Sequence, residues 1–347
     1  MILTSGQLYF INEQDVKTGA RSNYYKIGIV RDATGRNSKD RLLEHQTGNP
    51  RKLCIVETLN MPAVEAIETN LHALFARNRI FGEWMQFTES ELENAISKAK
   101  ELAVEMEVNI KNYETAEILK NSISNGEKLV SNNIFENCYK EILNFKGISD
   151  ICDEIIKQYK IYIQGEIKKG VDVSGRATLQ QRVGNKKFDE KLFESQFPNI
   201  WKEYLITSYP ITGSFRIVPV KDWDTDLSSL NQDQIDLLSS FKEEIKASDN
   251  SLDSGLSLHA KYLGVLEISS YVKWREDIAN TNLRVMTGGH EGIEGICTWK
   301  REEKEVKKLD KEKLKSEYPI EYESCEIDGS EVNALIVSPT VASTQRN

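Results

Sequence analysis

The chain has 347 residues and a formal net charge of −9, and 39% of its residues are hydrophobic. This length accommodates two or three domains with hydrophobic cores of their own. The sequence has neither an apolar run of membrane-span length nor a signal-peptide pattern at its start, so a soluble cytoplasmic protein is expected rather than a membrane or secreted one. Its five cysteines are scattered without the close pairs of a zinc site, which predicts reduced thiols.

Two strand-like runs open the chain. Residues 6–11 (GQLYFI) and 24–30 (YYKIGIV) are rich in β-branched and aromatic residues, and the stretch between them is turn-like, which predicts a β-hairpin. Tyr9 and Lys26 are expected to face each other across this hairpin. Tyr25 lies on the opposite face from Lys26 by alternation and is expected in the core.

A short helix and a third strand come next. Residues 40–46 have helical spacing, which places Arg41 and His45 one turn apart on the same face. The apolar run at 53–59 predicts the strand.

A second helix is predicted over residues 61–76. Its apolar face leaves Glu68 and His72 as an i, i+4 pair on a polar edge. After this helix, Trp84 is expected to anchor the small sheet, and Glu83 is a candidate helper at the site.

The polar side chains of these elements suit one kind of chemistry. A phenol, an amine, a guanidinium, an imidazole and a carboxylate are what metal-assisted phosphodiester cleavage requires. Taken singly, each has a plainer interpretation, because a strand tyrosine usually packs and a helical Arg or Glu is usually solvated. Their joint order favours a nuclease.

The sequence runs GQLYFI, YYKIGIV, RLLEHQTGNP and AIETNLHALFARNRIFGEW occur in an order that resembles the GIY-YIG nuclease superfamily. The resemblance covers residues 5–90 and is nearest to the branch typified by the T5orf172 and Mug113 domains. It implies a small α/β domain with a three-stranded antiparallel sheet and flanking helices. It further implies one divalent ion, Mg²⁺ or Mn²⁺, and hydrolysis of a nucleic-acid phosphodiester.

The resemblance also implies residue roles. Tyr9 matches the tyrosine of the first motif, and Gly28 matches the glycine of the second. Arg41 matches the arginine of the first helix, and His45 the residue one turn later. Glu68 matches the metal-binding glutamate.

One position departs from the commonest pattern. Lys26 stands where many members carry the tyrosine of their second motif, although some restriction enzymes of the superfamily also have a lysine there. The hypothesis is that Lys26 takes a proton from Tyr9 or from the attacking water. His72 either orients the Glu68 carboxylate or is a helix-surface residue.

Charge sets a condition on nucleic-acid binding. Residues 1–105 contain 13 basic and 14 acidic residues, so binding must rely on a local patch. The expected phosphate contacts are Arg36, Lys39, Arg51, Lys52, Arg77 and Arg79.

Three regions are predicted in an α+β multidomain chain: a nuclease domain at 1–105, a helical connector at 106–165 and an α+β region at 166–347. The connector is interpreted either as a dimerisation arm or as a set of packing helices.

The third region is predicted to hold strands at 215–220, 263–268 and 283–286. It also contains a diverged repeat, because residues 178–204 can be aligned with 298–322 at an offset of 121. The two copies are either a duplicated recognition element for a target or partner, or two similar structural subunits.

The sequence therefore predicts a metal-dependent endonuclease that acts on nucleic acid, with DNA preferred on the resemblance. The expected setting is restriction, defence or DNA processing in a bacterial or phage-infected cell. A nucleic-acid-binding or regulatory protein with a weakened nuclease fold is the alternative, and a structural assembly protein carrying this module is a third interpretation. Homo-oligomer formation through the connector or the third region is a further expectation.

Overall fold

A computed structural model describes residues 3–75, 78–81, 83–248 and 251–338, with the backbone alone at 81, 252 and 253. The chain has the α+β architecture that the sequence predicts. Among the described residues, no helix combines the length and apolarity that a membrane span requires.

The N-terminal sheet has five antiparallel strands in the order β3-β1-β2-β5-β4, so the prediction of a three-stranded sheet was wrong. The strands are β1 (Gly6–Gln14), β2 (Arg21–Arg31), β3 (Lys52–Met61), β4 (Arg79–Phe81) and β5 (Trp84–Gln86). The two added strands have three residues each, too few for side-chain alternation to be recognised in the sequence. Tertiary pairing forms them, because β5 lies along the edge of β2.

The predicted β1–β2 hairpin is present, but its register differs from the expectation. Tyr9 pairs with Gly28, and Lys26 pairs with Ile11. Lys26 is therefore diagonal to Tyr9 on the same face of the sheet, and the two are not directly opposite. Tyr25 is buried on the other face, as predicted.

Helices cover both faces of this sheet. Helix α1 (Ser38–Gln46) packs on the face that carries Tyr9 and Ile11. Helices α2 (Val64–Leu74) and α3 (Glu89–Lys120) cover the face of Leu8 and Phe10. Helix α2 begins later than predicted, because Met61 belongs to β3 and pairs with Gly6.

Three further long helices form the centre of the molecule. They are α4 (Asn133–Lys168), α7 (Gln232–Ala247) and α8 (Leu252–Thr287). The strands predicted at 263–268 and 283–286 are wrong, since both segments belong to α8. This helix is buried on several sides, so its short apolar runs have no clear helical period.

The boundaries predicted at residues 105 and 165 stay predictions. Helix α3 runs across the first position and α4 across the second. Helix α8 also contributes Trp274 and Ile278 to the core beneath the N-terminal sheet. The N-terminal unit is thus packed against the rest of the chain.

Short strands and helices complete the chain. The first group is β6 (Ala177–Val183), β7 (Lys187–Phe188), α5 (Glu190–Gln196), α6 (Pro198–Glu203), β8 (Leu205–Ser208), β9 (Ile211–Thr212) and β10 (Arg216–Ile217). The second is β11 (Gly292–Ile293), β12 (Cys297–Thr298), β13 (Glu302–Glu303), β14 (Val306–Leu309), α9 (Lys311–Glu317), α10 (Pro319–Ser324), β15 (Glu326–Ile327) and β16 (Glu331–Val337). Of the strand predicted at 215–220, only β10 forms.

The two segments that were aligned in the sequence contact each other reciprocally. Helices α9 and α10 begin 121 residues after α5 and α6, and Asp189 and Asp310 cap the first helix of each pair. Strand β7 pairs with β15, and β8 pairs with β14. One small core lies between them and includes Phe193 and its counterpart Leu314.

Candidate active site

The ring of Tyr9 lies directly over the backbone of Gly28. Tyr9 is 1% exposed, and a Cβ added to Gly28 would lie 2.5 Å from the Tyr9 hydroxyl oxygen. The phenol fills the space above residue 28, so any side chain larger than a hydrogen atom at this position would collide with the Tyr9 ring. The position of the Tyr9 ring therefore requires a glycine at the paired position of β2.

His45 holds the hydroxyl of Tyr9. The Tyr9 Oη and His45 Nε2 atoms are 3.2 Å apart. Burial lowers the pKa of His45, and the positive charges of Lys26 and Arg41 lower it further. In the tautomer that carries its proton on Nδ1, the neutral imidazole accepts this hydrogen bond from the Tyr9 hydroxyl at Nε2. In that tautomer, Nε2 of His45 is also placed to receive the phenol proton.

Helix α1 positions His45 and Arg41 together. Its N-terminus is closed by a capping box between Asn37 and Asp40.

The pKa of Tyr9 depends on burial and on Arg41. Burial raises this pKa, whereas a hydrogen bond from Arg41 and the positive charge of Arg41 oppose the rise. The guanidinium therefore favours the phenolate at the site.

Lys26 and Glu83 form an ion pair on the same side of the sheet. In the pairing of β2 with β5, Lys26 lies opposite Trp84. Glu83 directly precedes Trp84 in the sequence, so strand pairing brings Glu83 close to Lys26. Burial raises the pKa of Glu83, but the hydrogen bond and charge of Lys26 outweigh this effect and hold the pKa below its ordinary value. Glu83 is thus a carboxylate at neutral pH.

Glu68 is half-buried on α2 and is electrostatically coupled to Glu83 and Lys26. Burial, then the negative charge of Glu83, raises the pKa of Glu68 from 4.5 to about 8. Within the described part of the chain, its carboxyl forms no ion pair and no hydrogen bond. The charges of Lys26 and Arg31 lower the pKa of Glu68, but less than burial and Glu83 raise it.

The donor set fits a divalent ion held by a single protein carboxylate. Over the residues described, no three His, Cys, Asp or Glu side chains cluster as metal ligands. Mg²⁺ commonly binds through one or two carboxylates and keeps several waters, and Glu68 offers one carboxyl that forms no ion pair with a described residue. The predicted single-glutamate site is compatible with this geometry and stays a prediction.

His72 and Arg79 connect the sheet to the distant helix α8. Arg79 forms an ion pair with Glu267 of α8, and its Nη2 donates to Nδ1 of His72 at 2.5 Å. Burial, then the charge of Arg79, lowers the pKa of His72 to about 4. His72 is therefore neutral, and it contacts Arg79, Glu267 and the backbone of Ile27.

The predicted phosphate contacts divide into two groups. Lys39 and Lys52 are exposed and form no ion pair with a described residue. Arg36, Arg51 and Arg79 are ion-paired with Glu44, Glu13 and Glu267, respectively, and Arg77 lies outside the described residues.

Two acidic residues near these groups were not singled out from the sequence. Glu44 pairs with both Arg41, at 2.6 Å, and Arg36. Its position three residues after Arg41 on a helix was the available signal. Glu267 carried no such signal, because only the folding of α8 against α2 brings it to Arg79.

The antiparallel sheet flanked by helices, with Tyr9 and His45 beside Arg41, is compatible with the nuclease-like domain that the resemblance implies. Residues 6–100 match the family model of the T5orf172 domain, which agrees with the branch of the GIY-YIG superfamily identified above. The match spans 95 of 347 residues, so the family concerns the N-terminal region. Searches of the curated proteins and of the solved structures found no match.

Proposed function

We propose that this chain is a metal-dependent endonuclease that hydrolyses phosphodiester bonds, with DNA as the substrate. The observation that supports it best is the 3.2 Å contact between Tyr9 and His45, near the half-buried carboxyl of Glu68. The nuclease-like family of residues 6–100 supports the same class of reaction. DNA is preferred on the resemblance alone, since no described contact distinguishes DNA from RNA.

Tyr9 and His45 handle the proton of the attacking water in this proposal. The Tyr9 oxygen orients the water and accepts its proton as the phenol proton passes to Nε2 of neutral His45. Lys26 holds Glu83 as a carboxylate, and to act as the second candidate base it must first pass its ammonium proton to Glu83.

Arg41 binds the phosphate that is cleaved. Its guanidinium pairs with Glu44 on the exposed side of α1. The transition state of cleavage carries additional negative charge on the phosphate oxygens, so Arg41 should bind it more strongly than it binds Glu44. Glu68 would hold Mg²⁺ or Mn²⁺, which supplies charge neutralisation at the phosphate oxygens.

The setting we propose is restriction, defence or DNA processing in a bacterial or phage-infected cell. The reciprocal pairing of β7 with β15 and of β8 with β14 supports a duplicated element in the C-terminal region. We assign this element to target or partner recognition. Nucleic acid is the expected partner, and a homo-oligomer through the helical connector predicted at 106–165 or through the C-terminal region is a further proposal.

The test is cleavage of supercoiled plasmid and labelled single strands at low salt with Mg²⁺ or Mn²⁺. Loss of one group that acts only in the transition state should lower turnover by roughly 10²–10³-fold with less effect on binding. Arg41→Ala and Glu68→Gln are therefore expected to bind DNA and to cleave it at such reduced rates.

Matched controls separate the site from general effects of charge. Arg21→Ala removes an exposed arginine of β2, and Glu93→Gln an exposed glutamate of α3. Both should cleave like the wild type. Binding without cleavage by the wild type on every substrate would reject the nuclease and support the alternative, a nucleic-acid-binding protein with a weakened nuclease fold.

A further inference from the structure

A polar cleft lies far along the chain from the candidate active site, where a strand pairing is interrupted. Arg216 pairs with Thr298 in β10–β12, and Thr212 pairs with Glu302 in β9–β13. Residues 213–215 and 299–301 between these pairs belong to no strand. The cleft at this interruption has a volume of about 330 Å³ and is lined by Thr212, Gly213, Ser214, Arg216, Thr298, Lys300, Glu302 and Lys304.

The cleft has an excess of positive charge. Among the described residues that line the cleft, Glu302 is the only carboxylate, and it is shared by Lys300 at 2.7 Å and Lys304 at 3.0 Å. Arg216 is exposed and forms no ion pair with any residue in the described ranges. The three cations and one carboxylate of the lining sum to a charge of about +2 in a protein whose net charge is −9, and Glu291 outside the lining also acts on Lys300.

Its neutral groups are donors of the kind that phosphate oxygens accept. The hydroxyls of Thr212, Ser214 and Thr298 form no hydrogen bond with the described part of the protein. Gly213 keeps the cleft narrow, because a Cβ there would lie 2.3 Å from the carbonyl oxygen of Lys300. Only glycine permits this close approach of the two backbone segments.

We infer that this cleft binds a phosphate group through Arg216, Lys300 and the three hydroxyls. Arginine supplies a planar bidentate donor, lysine a point charge, and hydroxyls the neutral hydrogen bonds that nucleic-acid-binding proteins use on phosphates. Identification of that phosphate as part of a nucleic-acid backbone rests on the proposed function. The cleft then contacts the DNA at a second place, outside the nuclease-like domain.

The experiment uses the full chain with Glu68→Gln as background, so that DNA is not consumed. Binding of a labelled DNA duplex is measured from 50 to 200 mM salt for this protein and for Arg216→Gln/Lys300→Gln/Lys304→Gln added to it. Removal of about two phosphate contacts should lower the salt slope by about 1.8, so the affinity advantage of the intact cleft should shrink about 12-fold across this range. Lys221→Gln, which removes an exposed lysine outside the cleft, should leave the slope within about 0.9, the value for one contact.

Equal affinity and equal salt slope in the triple variant and the control would overturn the inference. A thermal melt of each variant shows whether the fold is intact, and Thr298→Val provides a second variant that leaves the charge unchanged. It should weaken binding without altering the slope.

A second set of titrations distinguishes the sources of the phosphate. Inorganic phosphate and a mononucleotide are titrated calorimetrically into the intact protein and the triple variant. Saturable binding that requires the cleft would identify a free phosphate compound as the ligand, whereas cleft-dependent binding of the duplex alone would identify the backbone. Failure of the nuclease proposal would instead appear as absence of cleavage by the wild type, with these binding differences unchanged.

Discussion

At Glu68, burial and the nearby charge of Glu83 hold the pKa near 8, so the metal-free protein keeps a proton on this carboxyl at neutral pH. The same group is the predicted metal ligand, and a metal ligand must be deprotonated. Protonation and metal binding therefore compete at one side chain. The free energy of unfolding should therefore depend on both pH and the concentration of divalent ions.

The first prediction concerns this competition. The folded-state pKa of Glu68 lies above the ordinary value of 4.5. The contribution of the protonated carboxyl to the free energy of unfolding is therefore fully present below pH 4.5 and is lost as pH rises towards 8. The loss reaches up to about 1.4 kcal/mol per pH unit. Urea unfolding between pH 4.5 and 8.5 should show wild type losing this stability relative to Glu68→Gln.

Divalent ions should reverse that loss. Mg²⁺ or Mn²⁺ is expected to stabilise the wild type more at pH 8 than at pH 6 and to leave Glu68→Gln unchanged. Parallel pH curves for the two proteins, or equal stabilisation of both by the metal, would contradict this account of Glu68.

The second prediction concerns the contact between Tyr9 and Gly28. Gly28→Ala places a methyl group 2.5 Å from the Tyr9 hydroxyl oxygen, and the buried ring must shift. Overpacking of this kind costs about 1–3 kcal/mol, and displacement of the phenol from His45 should also reduce cleavage. Thermal unfolding and cleavage rates measure the two effects.

Gly165→Ala is its matched control. Gly165 lies within α4, and a Cβ there has open space within 4 Å. Alanine should stabilise this helix by up to about 1 kcal/mol and leave cleavage unchanged. If both variants behave alike, the close approach at Gly28 is without consequence.

The third prediction concerns Glu44, which neutralises both Arg41 and Arg36. Exposed ion pairs contribute about 0–1 kcal/mol, so Glu44→Gln should unfold nearly like the wild type. The released arginines should bind phosphate more readily and increase DNA affinity with a steeper salt slope, by about 1. Titrations that give Glu44→Gln the slope of Glu93→Gln would show that Glu44 does not restrain these arginines.

At the scale of elements, polar contacts from α7 and α8 join the N-terminal sheet and α2 to the central helices. Glu267 of α8 pairs with Arg79 of β4, and Gln234 of α7 donates to the carbonyl oxygen of Ala73 in α2 at 3.1 Å. Arg79 was expected to contact nucleic acid from its charge alone. Its pairing with a largely buried carboxylate instead suits a structural link.

The fourth prediction tests this link. Glu267→Gln leaves the Arg79 guanidinium without its counter-ion in a site where both side chains are less than 20% exposed, and breaking such a pair costs about 3–5 kcal/mol. Glu243→Gln breaks an exposed pair with Lys246 and should stay within about 0.5 kcal/mol of wild type. Chemical unfolding of the two variants gives the comparison, and equal midpoints would show that the link is not stabilising.

At the scale of the whole molecule, the core beneath the N-terminal sheet also contains residues of the central helix α8. Trp274 and Ile278 of α8 pack into the core formed by the first sheet, α2 and α3. Separation of the domain would expose this apolar surface to water at about 25 cal/mol per Å². Its stability therefore depends on residues more than 150 positions away along the chain.

The fifth prediction follows for a fragment of residues 1–120, which ends with α3. The fragment should unfold at a lower temperature than the full chain and bind a hydrophobic dye, because α8 no longer covers its core. Calorimetry and dye fluorescence measure both properties. A cooperative fragment as stable as the full chain, without dye binding, would show that the domain is independent of α8.

Local patterns were sufficient for much of the first hundred residues. The hairpin, α1 and the buried position of Tyr25 follow from alternation and helical spacing over a few neighbouring residues. The long helix α8 was missed at 263–268 and 283–286, because burial on several sides removes the amphipathic period. Strands β4 and β5 were missed because they are too short to carry a pattern.

The amino-acid sequence by itself determined the order of Tyr9, Gly28, Arg41, His45 and Glu68, because each lies at a recognisable place in a local element. The tertiary structure alone decided which side chains from different elements meet. Lys26 paired with Glu83 and Arg79 with Glu267 because strand pairing and helix packing join residues whose separation in sequence carries no periodic signal. The pKa of Glu68 has the same origin, since burial and distant charges act only when the chain is folded.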